Sequence, residues 1–256
     1  MVIPTYPDLT GKIALVTGGS GGIGRATCRL LAANRAKVVV SGRDQAAIAT
    51  VASEIQAEGG AAIGVAADCT DASAIDRLRE RVEQELGPVE LLAAFAGGGI
   101  IHPGPAEKVT EQEWHSVVDG NLTATFLTVK SFLPGMIERK RGSIVTMAST
   151  AGRLPSQAPI PYSAAKAGIL MFSRNLANET AKFGVRVNSI APGAVLTERT
   201  RRYMSETQQR EVAALHPLGR LGSPEDIALA TLFLMAESSS WITGITLDVS
   251  GGRVML

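Results

Sequence analysis

Only two cysteines, Cys28 and Cys69, and three histidines occur in 256 residues. Two thiols cannot build a disulfide framework, and no Cys or His cluster has metal-ligand spacing, so no metal site is expected and a reducing cytoplasm is the expected setting. Charge of one sign is also missing. A formal net charge of +1 supplies no electrostatic reason for a nucleic-acid or membrane partner. No uninterrupted apolar run is long enough to span a bilayer, and the N-terminus lacks a basic stretch followed by an apolar core. Internal repeats and low-complexity linkers are absent too, so residues 1–256 read as a single domain large enough to bury a substantial core.

What is present is rhythm. Short apolar, β-branched runs at 13–17, 38–41, 61–67, 91–96, 143–147, 185–190 and 245–249 alternate with amphipathic stretches such as 46–58 and 72–86. Ile48, Val51 and Ile55, then Ile75, Leu78 and Val82, recur there at helical spacing. Nearly continuous apolar strands joined by long crossovers predict an α/β fold: a doubly wound parallel sheet of about seven strands with helices on both faces. The stretch 197–211 is polar and arginine-rich between glycine and proline breaks, which predicts a helical lid over about 194–215. Arg199, Arg201 and Arg202 on it read either as a solvated face or as a site for an anionic substrate.

The first strand runs into Thr17-Gly18-Gly19-Ser20-Gly21-Gly22-Ile23-Gly24 and then into helix-forming residues. Glycines there permit a tight turn and close backbone approach to a pyrophosphate, whose charge meets the helix N-terminus. Gly19, Gly21 and Gly24 fit a GxGxxG spacing, and no P-loop lysine follows. Further on, Tyr162 and Lys166 are four residues apart, which on a helix places phenol and ammonium on one face. A neighbouring cation is expected to lower the phenol pKa toward the working range of a proton donor. Ser149 lies at the end of the strand-like run 142–149, where an open α/β sheet faces its ligand crevice, and can meet Tyr162.

Taken together these motifs resemble the short-chain dehydrogenase/reductase family over 9–252, and within it the 3-oxoacyl-(acyl-carrier-protein) reductases. Thr17-Gly18-x-x-x-Gly22-x-Gly24 is similar to the family's cofactor loop, and Ser149 and Tyr162 stand thirteen residues apart, as the family requires. The resemblance implies a Rossmann-type domain and a catalytic set of Asn121, Ser149, Tyr162 and Lys166. In that set Asn121 maintains a helix kink and completes a proton relay through water. Cofactor contacts are implied at Gly18, Ser20, Gly22, Ile23, Gly24, Arg43, Asp68, Cys69, Ala96, Gly97, Tyr162, Lys166, Pro192, Gly193, Val195 and Thr197. Asp68 would meet the adenine edge, and Pro192–Thr197 would form the nicotinamide-side loop. One departure stands out: Ala94-Phe95-Ala96-Gly97 replaces the usual Asn-Asn-Ala-Gly, removing two side-chain amides.

NADP(H) is the expected cofactor, with NAD(H) the alternative. Gly42 stands where NAD-preferring relatives carry an acid, Arg43 offers a 2′-phosphate a charge-assisted partner, and Asp44 reads as the N-cap of the following helix. The implied substrate is a small carbonyl or alcohol, with specificity in 98–102, 150–159 and 194–204. An NAD-dependent alcohol, sugar or steroid dehydrogenase is the alternative activity, and a cofactor-sensing binding protein the non-enzymatic one. The resemblance also implies a homotetramer pairing through the helices that carry Asn121 and Tyr162, with Ala164, Ala165, Ala167 and Gly168 permitting close approach or serving intrachain packing. His115 and His216 are expected to have no carboxylate or cysteine partner at ligand spacing, and Trp114 to pack.

Overall fold

The computed structural model describes residues 3–98 and 104–255. Strands β1 (Ile13–Thr17), β2 (Lys37–Gly42), β3 (Ala61–Ala66), β4 (Leu91–Ala94), β5 (Gly142–Met147), β6 (Val185–Pro192) and β7 (Thr246–Val249) form one parallel seven-stranded sheet, in the order β3-β2-β1-β4-β5-β6-β7. The order reverses between β1 and β4, and a Rossmann-like sheet offers its ligand crevice at that switch point. β1 shows why both faces must be covered. All five of its residues are buried, with Ala14 and Val16 feeding one apolar cluster and Ile13 and Leu15 the other.

The first cluster is closed by α1 (Gly22–Ala33), α2 (Gln45–Ala57) and, late in the chain, α9 (Pro224–Met235). The second is closed by α3 (Ala72–Glu85), α5 (Ala124–Glu138) and α6 (Ile160–Thr180). Helix α4 (Glu111–Val118) runs into α5 through a π-helical turn at Asp119–Thr123. The segment expected to form a lid folds as two short helices, α7 (Glu198–Tyr203) and α8 (Glu206–Ala214). Asp44 caps α2 as its sequence position predicts, accepting from the amides of Ala46 and Ala47 at 3.0 Å. Among the described residues no helix is long and apolar enough to cross a membrane.

The strand expected over 91–96 ends two residues early, at Ala94. The amides of Phe95 and Ala96 leave the ladder and both donate to the Thr17 hydroxyl oxygen at 3.0 Å. That oxygen satisfies the backbone where the chain turns into the crevice, at the two positions following Ala94. Phe95, in place of the family's amide, packs instead into the core at 9% exposure.

Candidate active site

The carboxyl ends of β1 and β4 open into a cleft of about 840 Å³ bordered by Gly18, Gly22, Gly98, Tyr162, Lys166 and Thr197. Its first wall is the glycine turn. Gly18 and Gly22 take φ of +67° and +47°, backbone that favours glycine. A Cβ on Gly18 would lie 2.9 Å from the Phe95 carbonyl oxygen, and one on Gly24 only 2.0 Å from that of Gly18. The spacing Gly18-x-x-x-Gly22-x-Gly24 is therefore dictated by packing. In the overlapping GxGxxG spacing, Gly21 is extended, meets no protein atom where a Cβ would sit, and lines the cleft. Since α1 begins at Gly22, its first-turn amides and positive end border the cleft, and the bare backbone fits a dinucleotide pyrophosphate. Ser20 is half-buried beside Gly42, and Ile23 packs back onto the core.

The second wall is the loop after β6. Gly193 donates its amide to Val249 at 3.1 Å, and Val195 is bridged to Gly222. Pro192 is buried. Thr197 caps α7 by accepting from the Thr200 amide at 3.1 Å, and its methyl lies 2.9 Å from where a Cβ on Gly22 would stand. The two walls thus meet across the front of the cleft.

At the far end, Arg43 is exposed just beyond β2. Asp68 accepts from the Thr70 amide and hydroxyl at 2.9 and 2.8 Å. Those bonds hold its carboxyl below the usual range, with a smaller contribution from the positive charge of Arg43. Cys69 is buried, and burial raises its thiol pKa. Ala96 and Gly97 follow β4 into the cleft mouth, between the glycine turn and Lys166: the Lys166 Nζ lies 3.5 Å from where a Cβ on Gly97 would stand.

The four residues of the implied catalytic set converge. The fully buried Asn121 sits in the π turn. Its Nδ2 donates to the carbonyls of Val117 at 2.8 Å and Gly98 at 2.9 Å, while its Oδ1 accepts from the Gly98 amide at 2.9 Å. Both amide hydrogens are engaged, and the side chain ties Gly98 of the chain after β4 to the π turn. Ser149 is extended and half-buried two residues beyond β5, and its Oγ accepts from the Ala151 amide at 3.2 Å. Helix α6 opens with Pro161 in its first turn and carries Tyr162 and Lys166.

Lys166 is 3% exposed. Its Nζ donates to the Met147 carbonyl at 2.8 Å and lies 5.4 Å from the Tyr162 ring centroid. Burial pushes this lysine down to about 7. The lowered phenol pKa expected from the Tyr-Lys spacing is not found in this arrangement. Burial raises the Tyr162 phenol, and Ser149 and the positive field of Arg199 offset only part of the rise.

Other expectations divide. Arg199 turns toward the site, its Nη1 2.5 Å from where a Cβ on Gly98 would stand, and Arg202 also borders the cleft; both are exposed, as is Arg201. Trp114 does not pack inside, being 40% exposed. His115 does have a carboxylate neighbour, Glu111 at 3.7 Å one helical turn back. Among the described residues no group of three His, Cys, Asp or Glu side chains could hold a metal. His102 and the specificity positions 99–102 lie outside the described residues. Two features went unforeseen in the sequence. Arg153 of the loop after Ser149 pairs with Asp248 of β7 at 3.2 Å, and the buried His216 contacts the second wall; an isolated His or Arg carries no sequence signal of such long-range partners.

A family profile described as short chain dehydrogenase matches residues 12–208. The chain is 36% identical to the 3-oxoacyl-(acyl-carrier-protein) reductase FabG of Escherichia coli K12 over 249 residues, 97% of this chain and 100% of that protein. It is 35% identical over 244 residues to the 2,5-dichloro-2,5-cyclohexadiene-1,4-diol dehydrogenase LinX of Sphingobium indicum, covering 95% of this chain and 96% of that one. The crystal structure of gox2181 superposes with a TM-score of 0.93 at 31% identity, covering 96% of this chain and 98% of that chain.

Proposed function

Starting from a chain that belongs to the short-chain dehydrogenase family and is an NAD(P)-dependent oxidoreductase, we propose that it reduces a ketone to a secondary alcohol with NADPH, on substrates of the 3-oxoacyl-thioester class. One observation carries this reading: Tyr162 and Lys166 line the same cleft as the glycine cradle of α1, with Ser149 at the Tyr162 phenol. The relatives named as 3-oxoacyl-(acyl-carrier-protein) reductases support the substrate class.

When bound, the nicotinamide supplies hydride to the carbonyl carbon. The chain's residues handle the oxygen and the proton. Tyr162, kept protonated by its raised pKa, delivers its hydroxyl proton to the developing alkoxide. Ser149 donates a hydrogen bond to the same oxygen and thereby polarises the carbonyl. Lys166 stabilises the phenolate left behind and holds the nicotinamide ribose. Asn121 keeps Gly98 and the cleft floor in place through its three bonds. The remaining cofactor contacts are those set out from the family resemblance, with Gly18, Gly22 and Gly24 at the pyrophosphate and Pro192–Thr197 at the nicotinamide side.

NADPH preference is proposed from the end of β2. A side chain at Gly42 would grow toward Ile48 and Ser20, at 3.3 and 3.4 Å from its Cβ; with no acid there to repel a 2′-phosphate, Arg43 is its charge-assisted partner. Nicotinamide absorbance followed with both cofactors against 3-oxoacyl thioesters, simple ketones, sugars and steroids tests the activity. We expect turnover of the thioesters with NADPH, and Arg43→Ala to cut the NADPH-over-NADH ratio of kcat/KM at least ~10-fold. A wild-type preference for NADH, or a ratio untouched by the substitution, overturns the cofactor reading. The LinX relative is named a diol dehydrogenase, which favours alcohol oxidation as the second reading; with NAD as its cofactor, the same comparison separates the two.

A homotetramer is also proposed. Phe126 of α5 and Met171 of α6 are 43% and 53% exposed, and Trp241 and Met255 near the C-terminal strand are 99% and 77% exposed, an apolar burden suited to covering by other copies. Of the small residues on α6, Ala164 and Ala167 are exposed, whereas Ala165 is buried and Gly168 receives Leu122 within the chain. Light scattering at assay concentration should give four times the chain mass of 26.7 kDa; a monomer mass refutes the assembly.

A further inference from the structure

His216 joins two segments that meet at the second wall of the cleft. It is 3% exposed. Its Nδ1 lies 2.8 Å from the carbonyl oxygen of Val212 in α8, and its Nε2 lies 3.2 Å from the amide nitrogen of Ala194. A carbonyl can only accept and a backbone amide can only donate, so Nδ1 carries the proton and Nε2 is bare. The place of that bond matters. The β6–β7 pairing ends with the Gly193 amide on Val249, and the Ala194 carbonyl is already used by the Gly222 amide at 2.9 Å. The Ala194 amide therefore lies beyond the ladder, and the imidazole supplies its acceptor. The fit is close. A Cβ on Gly193 would stand 2.8 Å from Nε2, so the glycine lets the ring lie directly behind the loop.

We propose that His216 is a positioning residue for the nicotinamide-side loop: its bare Nε2 fixes Ala194, and its Nδ1–H anchors the ring to the lid helix α8. The inference rests on the reading of 192–197 as a cofactor loop. It assigns His216 no contact with substrate or cofactor. A loop held from behind is preorganised for the cofactor, so losing the bond should weaken cofactor binding rather than slow the reaction at saturation.

Two substitutions separate the two bonds. In His216→Asn the amide nitrogen takes the Nδ1 place and keeps Val212, but nothing reaches Ala194. In His216→Gln the longer side chain brings its oxygen to the Nε2 place and keeps Ala194. We expect the Asn variant to raise the NADPH dissociation constant, measured by calorimetry, at least ~10-fold and to speed hydrogen exchange of the Ala194 amide by a similar factor. The Gln variant should stay within about threefold of wild type on both readouts, and kcat at saturating NADPH should stay nearly unchanged in both. Equal losses in the two variants, as a purely structural histidine would give, overturn the proposal, and so does wild-type affinity in the Asn variant. Hydrogen exchange in wild type tests the underlying reading separately: NADPH should protect amides 193–197. Without that protection the loop assignment and the inference fall together; with it, a normal Asn variant sinks the inference alone.

Discussion

Tyr162→Phe lowers kcat for carbonyl reduction by at least ~10² and leaves the NADPH dissociation constant within about twofold. The substitution removes only the hydroxyl, so the ring keeps its place at the start of α6 and its packing in the cleft. What disappears is the proton that must reach the alkoxide. Burial holds the phenol above its ordinary pKa, so the acid form dominates at neutral pH, the form that reduction needs. The direction follows for pH. Reduction is supported while the phenol is protonated and declines as pH rises through its elevated pKa, whereas alcohol oxidation gains over the same interval. Near-normal reduction by the purified phenylalanine variant removes Tyr162 from the proton-donor role.

Lys166→Met is expected to abolish most turnover while making the ligand-free protein more stable. The ammonium is 3% exposed and burial brings its pKa from 10.5 to about 7. Between those values the unfolded chain binds a proton that the folded chain does not, so wild-type stability rises with pH across this window. Below about 7 both states carry the charge and the full desolvation cost falls on the folded state. Methionine removes that cost with a side chain of similar length, although the Met147 carbonyl loses its donor at 2.8 Å. We expect Tm to rise by at least ~4 °C at pH 6, with the gain shrinking toward pH 10.5, while kcat/KM falls at least ~10² because phenolate stabilisation and the ribose contact go together. A Tm lower than wild type at pH 6 contradicts the account of Lys166 as a charge held at a cost.

The sequence was most informative where one residue meets its neighbours along the chain. Asp44 announces a cap because its partners are two and three residues away, and the run Ile13 to Val16 of β1 announces burial on both faces because nothing polar interrupts it. Features that depend on distant partners stayed hidden. The early end of β4 needs Thr17, on an adjacent strand; the function of His216 needs Ala194, across a turn and two helices. The glycine turn is a mixed case: its spacing is legible along the chain, but the need for a bare Cα at Gly18 comes from Phe95, on the neighbouring strand's exit. The Tyr162 phenol shows a further kind: periodicity put the lysine on the right helical face, but the phenol's pKa follows its burial, offset in part by Ser149 and Arg199, and spacing encodes none of these.

The π turn at Asp119–Thr123 has an outcome far from the chemistry. A π turn places one extra residue in a helix, and each residue of an α-helix advances the azimuth by about 100°. The rod made by α4 and α5 is therefore out of phase with itself on either side of Asn121. Downstream of the turn, that offset decides which stripe of α5 looks outward, and Phe126 lies on it, 43% exposed. Deleting the extra residue would swing Phe126 about a quarter turn around the axis. The side chain that clamps Gly98 is thus also the phase marker that aims the outer face of α5, so a change at Asn121 that regularised the helix would redirect the surface offered to a second copy along with the floor of the cleft.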